Sequence, residues 1–495
     1  MFKSSLLEIL RTFSKHEMLK FEDFIRSPYF NKKENVLKLF LEIKKYTPDL
    51  ADENLGKEKI WQNIFPGTEY NYGIMKNLIF DLNKLADQFI MDLKFRDDNY
   101  TQNEYLLDGY LHRELKNIFS NKYKSLIGKY GSLMNRSDYQ SVNDYFWFLS
   151  KLYDRKLNYL HTFDAKRMSS DDPMIDRDSC HISNLLILLF GAYNDLLVTN
   201  GEKNIDITGN PVTLFLDAIS PVMETLLESI EKNSEINSLY LRIHYKMYLS
   251  MKEKTEKSYL EFRNVFFENI DIFTDHDKHD MHYCLITAIV MTKNYKEIKY
   301  YREIIKILDS MADNNVITEK GNDRIPYHVF YLYITSAFTQ LDSDKIESFS
   351  DRFLTHLDPV KEKNMRTYVK FMTEFISGNF TEALRQLSML DLNYTGLKMG
   401  VRYHKAMCMY ETDDYEMFLN ESDNLKHFIK NNDFLTDKHK SLLTNHYYFI
   451  DKLFLLRRNF DNFEFLKLRN KVMEKFKSTS LWFEKKFDEI EKENL

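Results

Sequence analysis

The chain has 495 residues, of which 43% are hydrophobic and 29% charged, and its formal net charge is −6. This balance excludes an intrinsically disordered chain, and the acidic excess argues against a general nucleic-acid coat protein. Only 13 glycines and 8 prolines are present, about a third of their average share, which leaves too few tight turns for a β-rich protein of this length.

Two short helices are predicted near the start of the chain. Ser14 and Glu17 have the spacing of a capping box ahead of one apolar helix, and Asn31 with Glu34 has a similar N-cap pattern ahead of the next. A proline disfavours the helical conformation in the residue before it. Because Pro28 follows Ser27, we predict a turn between the two helices.

The segment 57–95 resembles the helix-turn-helix core of bacterial activators whose sensor half is a helical repeat. It is predicted to form a short helix from Lys57 to Phe65, a turn at Pro66 and Gly67, and a long helix from Asn71 to Phe95. If this resemblance holds, the long helix is a recognition helix, which offers amide and cationic side chains to DNA. The candidates for such contacts are Lys76, Asn77, Asn83, Lys84 and Gln88. The same helix carries three acidic residues, Asp81, Asp87 and Asp92, which oppose DNA binding.

The N-terminal third has a second resemblance. Its segments FEDFIRSPYFNKKENVLKLFLEIKKYTPDL, KEKIWQNIFPG and NLIFDLNKLADQFI are similar to the start of an uncharacterised bacterial family of predicted helical proteins. This resemblance implies a helical fold and no particular function.

A long helix is predicted over residues 142–160, because apolar residues recur there every three or four positions. Polar residues cluster around prolines and a glycine in 164–178 and 201–211, and we predict a break in the helical structure at each. The longest strongly apolar stretch, Leu185 to Ala192, is too short to span a bilayer.

The second half contains six similar segments, each with a small or apolar residue three positions after its start. They begin at Tyr259, Tyr295, Ile346, Phe380, Tyr415 and Phe460, 34 to 51 residues apart. The segment at Phe380 follows Gly378 and contains Ala383, which would permit a tight turn and a close helix crossing. Over residues 236–495 the pattern resembles degenerate tetratricopeptide repeats, which implies stacked helix pairs. A non-repetitive helical bundle is the alternative.

Three histidines, His276, His279 and His282, follow Thr274 and are interspersed with aspartates. At this spacing two imidazoles could share a zinc ion. The other interpretation, which we favour, is a solvated helix start in which Thr274 is the N-cap and the aspartates favour the helix dipole. We therefore predict no metal site.

Cys180, Cys284 and Cys408 are too widely spaced for a disulfide framework, so we expect small buried residues in a reducing compartment. The N-terminus lacks the apolar region of a signal peptide, and we expect a cytoplasmic location. Glycine-rich phosphate loops and nucleophile motifs are missing from the sequence, and we predict no enzymatic activity, no catalytic residues and no cofactor. Cys180 and His181 are adjacent, which on a helix turns the two side chains about 100° apart.

These patterns predict an all-α protein with an N-terminal helical domain (1–96), a helical middle region (97–235) and an α-solenoid of tetratricopeptide-like repeats (236–495). The predicted function is a non-enzymatic scaffold that binds a peptide or partner helix in the solenoid groove. The alternative is a DNA-binding regulator that uses segment 57–95.

Overall fold

The computed structural model describes residues 5–47, 50, 55–131, 141–164, 173–203, 207, 209–232, 234–292, 298–318, 323–391, 395–432, 435–475 and 480–494. Within these ranges helices account for 84% of the residues and no β-strand occurs. The prediction of an all-helical chain is confirmed.

The chain divides into two compact units. Unit 1 comprises residues 1–124 and 158–165, and unit 2 comprises residues 125–157 and 166–495. The domain boundaries that we predicted after residues 96 and 235 stay predictions.

Unit 1 is built around one long helix, α5, which packs against α1, α2 and α3. The first eight helices, of which α7 and α8 contribute residues to both units, are α1 (Ser5–Thr12), α2 (Lys15–Arg26), α3 (Glu34–Lys44), α4 (Lys57–Ile64), α5 (Tyr72–Asp97), α6 (Asn99–His112), α7 (Lys116–Tyr130) and α8 (Val142–Phe163). Phe21 lies at the centre of an aromatic cluster, with its ring centroid 5.1 Å from those of Phe40 and Phe89. The apolar stripe of α5 therefore forms the core of this unit and is not a free helix face.

The two predicted N-caps near the start of the chain have different outcomes. Ser14 caps α2 as predicted: its hydroxyl accepts from the Glu17 backbone N–H, and the Glu17 carboxylate accepts from the Ser14 backbone N–H. The prediction for Asn31 is wrong, because α3 begins after Lys33 and has no side-chain cap. The Asn31 side chain instead accepts from the Lys33 backbone N–H and donates to the Ile25 carbonyl. Asn31 therefore stabilises the predicted turn rather than the helix.

Unit 2 contains the remaining helices. They are α9 (Pro173–Lys203), α10 (Pro211–Ile219), α11 (Met223–Glu231), α12 (Glu235–Glu253), α13 (Glu256–Glu268), α14 (Asp275–Met291), α15 (Ile298–Asp313), α16 (Tyr327–Thr339), α17 (Ser343–Phe353), α18 (Pro359–Ile376), α19 (Phe380–Ser388), α20 (Thr395–Glu411), α21 (Tyr415–Lys430), α22 (Asp437–Arg458), α23 (Asn462–Lys475) and α24 (Ser480–Asn494). From α11 onward each helix contacts the next one in the chain. In addition, α12 contacts α14, α16 contacts α18, and α20 contacts α22.

One type of turn recurs between helices of unit 2. Leu341, Gly378 and Asp413 each follow a helix with a positive φ, of 55°, 83° and 54°. In each case the backbone N–H of the next residue donates to the carbonyl five positions earlier, at 3.1, 2.8 and 2.9 Å. This bond and the left-handed residue define a Schellman cap. The residue that makes it is also the N-cap of the following helix, so one short turn ends one helix and starts another.

These turns correct the register of the predicted repeats. Phe380 and Tyr415 both lie two residues after the left-handed residue, but Ile346 lies five residues after it. The structural equivalents of Ile346 are therefore Ala383 and Phe418, and all three are buried. The alignment of Ile346 with Phe380 is wrong by three residues, because α17 begins with three polar residues and its first apolar residue comes one turn later than in α19 and α21. The segment at Tyr295 lies outside the described residues.

The predicted long helix over 142–160 is confirmed as α8, whose stripe is buried at Val142, Phe146 and Leu149. The predicted break at 201–211 begins later than expected, since α9 continues to Lys203. Most of the break at 164–178 lies outside the described residues, and α9 begins at Pro173 within it.

In the described part of the chain, α9 alone is long and apolar enough to cross a membrane, over Pro173–Thr199, and its most apolar 18-residue window has a mean hydropathy of 1.5. Our sequence prediction considered only its central stretch and missed this length. About a third of the apolar window is buried, through side chains such as Leu186 and Phe190, and α9 packs on α12.

Candidate functional site

The candidate site is a pocket in unit 2 formed by four helices that are distant in sequence. Its closed interior measures about 60 Å³, and the empty space amounts to about 450 Å³ when the open mouth is included. The lining comes from α16 and the turn after it, from α20, from α22 and from α24: Phe338, Thr339, Leu341, Tyr403, His404, Met407, His446, Trp482 and Phe483. We call it the aromatic pocket.

The wall from α16 and α20 follows from helix geometry. Tyr403, His404 and Met407 lie on one side of α20, because positions three and four apart share a helix face. The His404 ring packs against Phe338 at the end of α16, with 4.8 Å between ring centroids. Leu341 completes this wall from the left-handed position of the turn.

The wall from α24 is fixed by a buried ion pair. Lys486 Nζ lies 2.8 Å from Glu411 Oε2, and the two side chains are only 5% and 10% exposed. The Trp482 indole N–H donates to the other oxygen of Glu411 at 2.6 Å. Removing one member of a buried pair leaves a charge unpaired, which is strongly destabilising. Glu411 therefore holds both Trp482 and α24 against the end of α20.

The two histidines of the aromatic pocket are neutral at physiological pH. Burial lowers the pKa of His446 to about 3, despite the opposing effect of its hydrogen bond with the Tyr403 carbonyl. Because a carbonyl only accepts, His446 donates through Nε2 at 3.1 Å. Burial also lowers the pKa of His404 to about 3, and His404 Nδ1 lies 3.1 Å from the Tyr368 hydroxyl.

The lining of the aromatic pocket therefore carries no formal charge. Phe338, Met407, Trp482 and Phe483 are apolar or aromatic, and the imidazoles add hydrogen-bonding edges without a cation. A pocket of this kind suits an apolar group with few polar atoms. A histidine with so low a pKa is a poor general base at neutral pH.

The predicted histidine cluster on α14 does not converge on a common point. His279 Nδ1 contacts the Val316 carbonyl at 2.7 Å, and His282 Nε2 contacts the Ser310 hydroxyl at 2.9 Å. His276 Nδ1 lies 3.3 Å from Asp280. Across the described residues no group of three or more His, Cys, Asp or Glu side chains is arranged to hold a metal ion.

Thr274 caps α14 as predicted. The prediction that the start of this helix is solvated is wrong for part of it. His282 is completely buried, and burial lowers its pKa to about 4. Asp277 accepts from the Thr274 hydroxyl at 2.6 Å and from the backbone N–H of Val142 at 3.1 Å. The carboxylate of Asp277 therefore also binds the first turn of α8, and burial raises its pKa to about 6. The aspartate–histidine pattern reflects packing between helices.

The helices of segment 57–95 form as predicted, as α4 and α5. Among the candidate DNA contacts, Lys76, Asn77 and Lys84 are exposed and Gln88 is half-buried. Asn83 accepts a hydrogen bond from the Ser5 hydroxyl and donates to Asp87.

The surface of α5 also carries acidic residues and exposed apolar side chains, which do not favour contact with DNA. Asp81 pairs with Lys33, and Asp92 pairs with Arg96. Phe80 and Met91 are exposed on the same helix. The exposed side of α5 is thus mixed in character rather than basic.

The three cysteines are buried and free, as expected for small core residues. Burial raises the pKa of the Cys180 thiol to about 12, so Cys180 is a thiol and a weak nucleophile at neutral pH. Its neighbour His181 is half-buried.

Sequence reasoning missed the aromatic pocket. The local signal is weak: His404 and His446 each adjoin a tyrosine, at Tyr403 and Tyr447, on an amphipathic helix. No protein-family profile, curated protein or solved structure matches this chain significantly.

Proposed function

We propose that this chain is a non-enzymatic, cytoplasmic protein-interaction scaffold. In this proposal the helix pairs of residues 236–495 form an α-solenoid similar to tetratricopeptide repeats, which binds a peptide or a partner helix. The aromatic pocket receives one apolar side chain of that partner.

The uncharged aromatic pocket carries this proposal. A partner side chain that enters it meets four aromatic rings and two neutral imidazoles, and such pockets hold the anchor residues that dominate binding energy. Recurring turns at Leu341, Gly378 and Asp413 support a repeated helix-pair unit. Helix pairs that bury their faces only against neighbours leave an extended surface for a partner.

Selection of peptides from a random displayed library tests the proposal. We expect the purified protein to enrich peptides with one recurrent Leu, Met or Phe. Thr339 lies in the lining and is half-buried, and we expect Thr339→Trp to fill the pocket and weaken peptide binding at least ~10-fold, about 1.4 kcal/mol. Fluorescence anisotropy measures the affinity.

Val360→Trp is the matched control, because Val360 is 80% exposed on α18 and does not line the pocket. This variant should bind the same peptides with unchanged affinity. Equal binding to wild type and Thr339→Trp, or a selection that enriches no apolar residue, would contradict the proposal.

DNA binding through α5 is the second candidate, since Lys76, Asn77 and Lys84 are exposed on the predicted recognition helix. This candidate would be favoured if the protein shifted random duplex DNA in a gel at low salt and if this binding weakened steeply as the salt concentration rose.

A further inference from the structure

The exposed side of α9 is apolar although the helix belongs to a packed unit. One side packs inward through buried residues that include Leu186, Phe190 and Leu197. The other presents Ile182, Leu185 and Leu188, which are 37%, 42% and 52% exposed. These three residues recur at the spacing of a single helix face.

Formal charge is missing from the centre of this helix. From His181 to Asn194 the sequence contains no Asp, Glu, Lys or Arg, and at 1.5 Å per residue this stretch is about 21 Å long. Ala192 is half-buried, and a Cβ at Gly191 would contact nothing within 4 Å. The small residues leave room for another helix to approach.

Opposite charges flank the apolar face. Arg177 and Asp195 are 18 residues apart, which is five turns of 3.6 residues, so the two side chains lie on the same side of α9 about 27 Å apart. The Arg177 side chain is 27% exposed, and it pairs with Asp178 at 2.8 Å and with Asp154 at 3.4 Å. Asp195 is exposed.

We propose that the partner of this face is a second copy of the chain, and that two α9 helices pack antiparallel about a two-fold axis near Leu185 and Leu186. In such an antiparallel pair, the side of α9 that carries Arg177 and Asp195 lies next to the same side of the other α9. Arg177 of one copy then lies beside Asp195 of the other, and this contact occurs twice. Ile182, Leu185 and Leu188 of the two copies bury one another.

Light scattering on the full-length protein tests the proposal at concentrations up to about 100 μM, where even a weak micromolar dimer forms. Wild type should have twice the monomer mass of 59.6 kDa. Leu185→Lys should be monomeric at the same concentration, and Val360→Lys, which places the same charge on an exposed residue of α18, should remain a dimer. A wild-type monomer, or a Leu185→Lys dimer, would overturn the proposal.

A cysteine variant tests the same geometry without adding charge. The native cysteines are buried, so Leu185→Cys introduces an accessible thiol close to the proposed axis. Mild oxidation should convert most of this variant into a disulfide-linked dimer, and the same treatment of Val360→Cys should not. Failure of Leu185→Cys to cross-link would overturn the antiparallel arrangement. The dimer proposal would also be overturned if the wild type were a monomer that binds phosphatidylcholine vesicles and Leu185→Lys did not bind them. The partner of this face would then be a lipid surface.

Discussion

Four histidines of unit 2 are neutral at physiological pH: His244, His282 and His446 are buried, and His404 is half-buried. Burial lowers the pKa values of His244 and His282 to about 4, and those of His404 and His446 to about 3. The ordinary value is 6.5. A histidine whose pKa falls on folding binds a proton more readily in the unfolded chain, so acid favours unfolding. Its contribution to stability is complete above pH 6.5 and is lost as the pH falls towards the folded value.

We predict that the free energy of unfolding falls between pH 7 and pH 5 and that His446→Phe reduces this slope. Each fully buried imidazole contributes about 2 kcal/mol over the interval from pH 6.5 to 5, at 1.36 kcal/mol per pH unit. Urea titrations at several pH values measure the slope. His112→Gln, which replaces an exposed histidine of α6, is the control and should leave the slope of the wild type unchanged. A His446→Phe variant with the wild-type slope would show that His446 is protonated without cost in the folded state.

Asp277 acts in the opposite direction. Burial raises its pKa from 3.8 to about 6, so the folded chain binds the proton more readily than the unfolded chain. Its contribution to stability is complete below pH 3.8 and is lost as the pH rises through 6. This single group offsets only part of the effect of the four histidines.

At the scale of helices, the recurring turn places unlike residues in the same conformation. Gly378 and Asp413 both have left-handed φ values and the same hydrogen bond after them. Glycine adopts this conformation without the steric penalty of a Cβ. Asp413 is exposed, so its side chain can be removed without loss of packing.

We therefore expect Asp413→Gly to stabilise the protein and Gly378→Ala to destabilise it, each by about 1 kcal/mol. A Cβ at Gly378 would contact nothing within 4 Å, so the penalty there belongs to the backbone alone. Thermal melts of the two variants and wild type provide the comparison. If both substitutions shift the melting temperature in the same direction, the assignment of equivalent turns is wrong.

Helix formation could be predicted from the sequence because its signals are local. The capping box at Ser14 and the stripe of α8 involve residues within a few positions of one another. The register of the segment at Ile346 could not be predicted, because its left-handed position is occupied by Leu341, and leucine is not a residue type that marks a turn. Asn31 shows the same limit: its side chain stabilises a turn, and turn and helix cap use the same residue types.

At the scale of the whole chain, the aromatic pocket depends on contacts that the sequence pattern does not contain. Phe338 and Phe483 line one pocket although 145 residues separate them. The low pKa values of His404 and His446 arise from burial by helices distant in sequence. Periodicity predicts that such residues face a core, but it does not show which helices meet or where they leave a cavity.

The three tryptophans provide a direct test of where a partner binds. Trp482 lines the aromatic pocket, Trp147 is half-exposed on α8, and Trp61 is buried in unit 1. Each gives a separate ¹⁹F signal when the protein is labelled with 5-fluorotryptophan, and single Trp→Phe variants assign the three signals.

Titration of the labelled protein with a peptide from the displayed library is the most direct measurement of the central claim. We predict that the Trp482 signal shifts and saturates at the affinity measured by anisotropy, while the Trp61 and Trp147 signals stay in place. The scaffold proposal would be contradicted by a peptide that binds without moving the Trp482 signal. It would also be contradicted if duplex DNA moved the Trp61 signal while no peptide moved the Trp482 signal.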